Sequence, residues 1–183
     1  PSPFHKPTAN SAEFWVKPYL ELFRLIRHFG SLKFDELKMF GLQLVDYREF
    51  DTIVEKINQF RIAKAQNEGN YKRFRSEYFD RELREIYSVD ISSGNTKTRE
   101  TNDASIANFL STKASNMRDY ADACVRYLRA TGLVNISHIG KSLSIVPEKI
   151  QEVDYFLQHT EREPCFIDNE GQYVAYLGNP QIP

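Results

Sequence analysis

The 183-residue chain is 41% hydrophobic and 27% charged, an ordinary globular composition that excludes a disordered chain. Its formal charge of −1 excludes a global basic field, so any attraction to nucleic acid has to come from local clustering. Cys124 and Cys165 are too few and too far apart for a disulfide scaffold or a metal framework, and no apolar run approaches about 18 residues, so the expectation is a soluble, cytoplasmic protein with no membrane span.

Residues 1 to 13 hold three prolines and small polar side chains and read as an extended arm or an overhang. From Val16 the pattern turns helical: Leu22, Phe23, Ile26 and Phe29 recur on one face, Pro18 suits a first turn, and Gly30 a stop. A short helix follows at about Lys33 to Phe40, with Phe34, Leu37 and Phe40 at helical spacing. A third runs from about Tyr47 to Ala65 on Phe50, Ile53, Val54, Ile57 and Phe60. Asn67-Glu68-Gly69-Asn70 is a turn signal, and the next helix, about Tyr71 to Tyr87, should bury Phe79, Leu83 and Ile86 with its arginines outward. Residues 92 to 103 are polar and read as a loop carrying Lys97 and Arg99.

The most informative stretch runs from Ile106 to Pro147. Leu110, Met117 and Cys124 recur every seven residues, as do Ala114, Ala121 and Leu128, so the two series form one apolar stripe of a long helix. Ser115, Arg118, Asp122, Arg126 and Arg129 lie on the other side, and Gly132 marks the stop. Val134 and Ile136, then Leu143 and Ile145, alternate with polar neighbours across a loop containing Gly140 and Lys141, the pattern of a half-buried hairpin. Glu148 to His159 supports one more helix on Ile150, Val153, Phe156 and Leu157, and from Glu148 to Glu170 seven acids face only Lys149 and Arg162. The fold class read from this order is mainly α (α+β): a winged-helix-like helical domain with a small β-hairpin wing.

No catalytic constellation stands out. His5, His28, His138 and His159 lack zinc spacing, and no glycine-rich phosphate loop follows a strand. Glu36-Leu37-Lys38 matches the Glu-x-Lys half of a metal-nuclease pattern, but it lies in a predicted helix with no Pro-Asp strand before it. The basic residues carry more. Arg61, Lys64, Lys72, Arg73 and Arg75 face Glu68 alone between residues 61 and 75, which suits phosphate contact; the competing reading is a solvated helix face. Lys113, Ser115, Asn116 and Arg118, near the start of the helix before the hairpin, are candidates for base contacts. Lys141 in the hairpin loop is a further phosphate candidate. Asp122 is spaced to pair with Arg126 on the surface. Tyr120 and Tyr127, at the edge of the stripe, read as core rather than as stacking platforms.

The block Asn116-Met117-Arg118-Asp119-Tyr120-Ala121-Asp122-Ala123, continued by Arg126-Tyr127-Leu128-Arg129-Ala130-Thr131-Gly132-Leu133, resembles the AlwI-type family of type IIS restriction endonucleases and their strand-nicking relatives. The likeness extends through Gly30-Ser31-Leu32, Met39-Phe40 and Gln59-Phe60-Arg61 to Tyr176-Leu177-Gly178-Asn179-Pro180. In such enzymes a winged-helix-like recognition region reads a short asymmetric site, and a separate nuclease domain of the PD-(D/E)xK kind cuts with Mg²⁺. The resemblance implies that residues 14–147 form a DNA-recognition domain, placing Asn116 and Arg118 on its reading helix, and that 148–183 lead towards a nuclease domain absent from this chain. Double-stranded DNA is the expected partner. No cofactor is expected in the fragment, and Mg²⁺ is expected for the parent nuclease. The alternative is a protein–protein or interdomain docking module of the same parent.

Overall fold

The computed structural model describes residues 15–92 and 103–163 with their side chains, and the backbone of four short strands outside them. Two of these, β1 (Lys6–Pro7) and β2 (Ala12–Glu13), pair antiparallel within the segment expected to be an extended arm. The loop carrying Lys97 and Arg99 and the close at 176–183 lie outside the described residues.

Helix α1 (Pro18–Phe29) starts with a proline where the missing N–H costs nothing and ends at Gly30, whose φ of +72° favours a residue without Cβ. One apolar face was expected from the spacing. Instead Leu20, Leu22, Leu25 and Ile26 are at most 1% exposed and even Glu21 is fully buried. The helix is the hub of the core, and neighbours cover it on several sides. After it comes β3 (Leu32–Lys33), which the sequence pattern did not announce because two residues are too few to show an alternation. Helix α2 (Phe34–Met39) follows at once, its start closed by the Lys33 backbone N–H donating to Glu36 Oε2 at 2.8 Å.

Helix α3 (Phe50–Ala65) buries Phe50, Ile53, Ile57 and Phe60, as its spacing predicts. A single turn at Glu68–Asn70 leads into α4 (Tyr71–Ile86) and the short α5 (Ser88–Ser92). The inward face of α4 needs a correction: Leu83 is buried, but Ile86 is 36% exposed and the half-exposed Arg75 reaches across to Asp35 of α2. The reason is aromatic packing. Phe74 and Tyr78 lie 5.8 and 5.1 Å from the ring of Phe60, which in turn lies 5.6 Å from Phe40. This cluster rotates the helix so that its 71–74–78 edge meets α2 and α3.

Helix α6 (Asp103–Ala130) buries the expected stripe of Leu110, Met117, Ala121, Cys124 and Leu128 and packs on α2 and α4. Burial pushes the Cys124 thiol up to about 11, so it serves as a small hydrophobe rather than a nucleophile. Gly132 (φ +71°) turns the chain into β4 (Val134–Ser137) and β5 (Ser142–Ile145). With β3 these make a three-stranded antiparallel sheet in the order β3-β5-β4, Leu32 opposite Leu143 and Val134 opposite Ile145.

Helix α7 (Ile150–His159) is packed into the same core, with Val153 and Leu157 buried and Phe156 edge-on to Phe23 at 6.3 Å. The segment beyond it is strapped down: Arg162 forms a bidentate pair with Glu21, and the buried Lys17 ammonium donates to the Glu161 carbonyl. Strands β6 (Phe166–Asn169) and β7 (Gln172–Ala175) pair antiparallel after it. The described residues are thus mainly helical, with a small three-stranded antiparallel sheet and two separate strand pairs. No helix among the described residues is long and apolar enough to cross a membrane.

Candidate nucleic-acid interface

Four elements meet around a cleft of about 530 Å³. Helix α2 contributes Asp35 from its first turn and Lys38 from its last, the start of α4 contributes Tyr71, Lys72 and Arg75, the middle of α6 contributes Arg118 and Asp122, and the hairpin turn contributes His138 and Lys141. Phe34, Leu37, Ala121 and Val125 form its apolar floor. On α6 the lining residues 118, 121, 122 and 125 follow the three-and-four spacing of one helix face, adjoining the buried stripe. Leaving His138 aside, five cations face Asp35 and Asp122, a local positive excess that the net charge of the chain conceals.

The acids and cations are held differently. Asp35 accepts from the Tyr71 hydroxyl at 2.8 Å, and Arg75 Nε lies 2.7 Å from it but off the N–H line, so that contact is an ion pair rather than a directed hydrogen bond. Burial pushes the Asp35 carboxyl up, but Arg75 and Tyr71 outweigh it and hold the group below the usual carboxylate range. Burial lowers the Lys38 ammonium, Arg75 adds repulsion, and the charge rests 4.7 Å above the Phe79 ring. Arg118 is exposed. It donates to the Ser115 hydroxyl at 3.3 Å and lies 3.8 Å from the exposed Asp119, contacts weak enough to exchange for a ligand.

Of the residues singled out from sequence, Lys72, Arg75, Arg118 and Lys141 converge on this cleft, with Ser115 beside Arg118. Lys64 joins Lys33 and Lys141 around a smaller adjoining cavity of about 160 Å³. The others are elsewhere. Arg61 Nε and Nη2 grip the buried Glu36 at 2.7 and 2.9 Å, and Nη2 also donates to the Ser31 carbonyl, so Arg61 is engaged within the fold and does not line the cleft. Arg73 pairs on the surface with Glu77, one helical turn away. The Lys113 ammonium sits over the rings of Tyr87 and Phe109 at 5.0 and 5.2 Å, on the flank of α6 away from the cleft. Asn116 is exposed and stands about 200° around the helix from Arg118, away from the cleft lining. Asp122 and Arg126 form no ion pair, and Tyr127 is 64% exposed, touching Tyr19 edge-on rather than sitting in the core.

Sequence reasoning missed Lys38, Asp35, Tyr71 and His138 as cleft residues. The signal for Lys38 was present but pointed to the wrong chemistry. Glu36 is 2% exposed, and its oxygens accept from Arg61 and the Lys33 N–H. That carboxylate is fully engaged in holding α2, so Glu36 and Lys38 do not fit a Mg²⁺ site. Among the described residues no three His, Cys, Asp or Glu side chains converge as metal ligands.

The profile of the AlwI restriction endonuclease family matches residues 4–179, nearly the whole chain. The chain belongs to the AlwI restriction endonuclease family. A search of curated proteins returned no match. AlwI-family membership sets the cationic cleft in the context of a type II restriction enzyme, whose substrate is DNA.

Proposed function

We propose that this AlwI-family chain is the sequence-specific duplex-DNA recognition part of a type IIS restriction or nicking endonuclease. In this reading α1, β3, α2, α6 and the β4–β5 hairpin make a winged helix into which α3, α4 and α5 are inserted between α2 and α6. Helix α6 enters the major groove with Arg118 towards base edges, and the hairpin is the wing. Lys72, Lys38 and Lys141 neutralise phosphates and set the register. Lys64 extends that track along the smaller cavity. Mg²⁺-dependent cutting is assigned to a catalytic domain of the parent enzyme, outside the residues that form this cleft.

One observation carries the proposal: five cations from four separate elements face a single cleft in a protein of net charge −1. Concentrating like charge costs stability through self-repulsion, which a polyanionic partner relieves. The test is a salt titration on a randomised duplex pool. With four to five phosphate contacts, affinity should fall by about 100- to 500-fold between 50 and 200 mM salt. A folded sample that binds no duplex at low salt would leave the cleft to another domain of the parent, the docking alternative.

A further inference from the structure

Ile139, at the tip of the hairpin, is 101% exposed, the most exposed of the large apolar side chains among the described residues. The turn that displays it is stiff. The Gly140 N–H donates to Ser137 Oγ at 2.9 Å, and Lys33 Nζ donates to the Gly140 carbonyl at 3.0 Å. The Phe34 N–H donates to the Lys141 carbonyl at 2.9 Å, and Lys141 itself is held at φ +46°. A Cβ on Gly140 would approach Ser137 Oγ to 2.9 Å, so the turn is tightly closed as well as hydrogen-bonded. The chain therefore fixes an isoleucine in water on a rigid support, where it contributes no packing to the fold.

Its surroundings say what covers it. Ile139 borders the smaller cavity together with Lys33, Lys64 and Lys141, next to the main cationic cleft. An apolar partner protein would offer those three ammonium groups no counter-charge. Duplex DNA satisfies both features, because phosphates flank the groove and the stacked base steps within it are apolar.

Resting on the DNA-binding reading above, we infer that Ile139 is a wedge: it enters the minor groove beside the major-groove site of α6 and partly unstacks one base step, with Lys33, Lys64 and Lys141 on the flanking phosphates. Pyrimidine–purine steps unstack most easily, so the wedge adds sequence preference at a step that α6 does not touch.

The test uses the 183-residue chain and a duplex enriched from a randomised pool by the wild-type protein, with 2-aminopurine placed at each position of the site in turn. Binding should raise the fluorescence at one step. Ile139→Ala should abolish that rise and weaken binding by roughly tenfold or less, the loss of one buried aliphatic group net of the unstacking it no longer forces. Ile139→Leu should preserve both. Because the side chain touches nothing in the free protein, an unchanged circular-dichroism melt is expected for each variant. Binding without a fluorescence rise at any position, or a rise that survives Ile139→Ala, overturns the wedge while leaving DNA recognition intact. Failure to enrich any duplex overturns both.

Discussion

Two groups of basic residues in this protein look alike in the sequence and behave oppositely in the fold. Arg61 and Arg162 each clasp a buried carboxylate, Glu36 at 2% and Glu21 at 0% exposure, with two hydrogen bonds apiece. Each guanidinium also donates to a backbone carbonyl, of Ser31 or Tyr47, and lies over an aromatic ring, Phe29 at 4.5 Å or Phe50 at 5.2 Å. Among the described residues Lys72, Arg118 and Lys141 pair with no buried acid, and they gather around an open cleft. A buried carboxylate left alone is costly, so it claims the nearest arginine regardless of what else that arginine could reach. The number of basic residues in a segment therefore overstates the charge available to a ligand.

Removing one member of each group should separate them. Arg61→Ala strands Glu36 in the core and should cost about 3 kcal/mol of stability, read by urea unfolding, while leaving the salt dependence of DNA binding unchanged. A drop in salt slope with unaltered stability would reverse the assignment. Arg118→Ala should cost about 1–3 kcal/mol on the enriched duplex and much less on random DNA, with no effect on unfolding. Equal loss on both duplexes would make Arg118 a backbone contact. The smallest effects are expected from single lysines. Lys72→Ala should lower the salt slope by about one phosphate, whereas Lys113→Ala, on the other flank of α6, should leave the slope unchanged. A slope change at Lys113 equal to that at Lys72 would mean that DNA wraps α6 on both sides.

Much of the architecture was legible because it repeats over enough residues to be seen. The buried stripe of α6 spans Leu110 to Leu128, the hairpin alternates through Val134 and Ile145, and α3 shows Phe50, Ile53, Ile57 and Phe60 in phase. Where the signal is short or non-local, the sequence pattern misleads. β3 is two residues long and announces itself only through its pairing with β5. The inward rotation of α4 comes from Phe74 and Tyr78 meeting Phe60, a contact set by how two helices cross rather than by the period of either one.

The candidate site divides in the same way. The 116–133 block pointed to the family, and the profile match over 4–179 supports it, because the identity and order of residues are enough for that comparison. By itself the sequence determined helix periods, the hairpin, the family and a surplus of cations around residues 61–75. Only the tertiary structure decided which cations, there and elsewhere, remain available. Burial of Glu36 and Glu21 withdraws Arg61 and Arg162, and the packing of α4 beside α2 and α6 brings Lys38, Lys72, Arg118 and Lys141 to one opening. The physical reason is that local periodicity reports which face of an element is apolar, whereas the fate of a charge depends on which opposite charge the fold buries beside it.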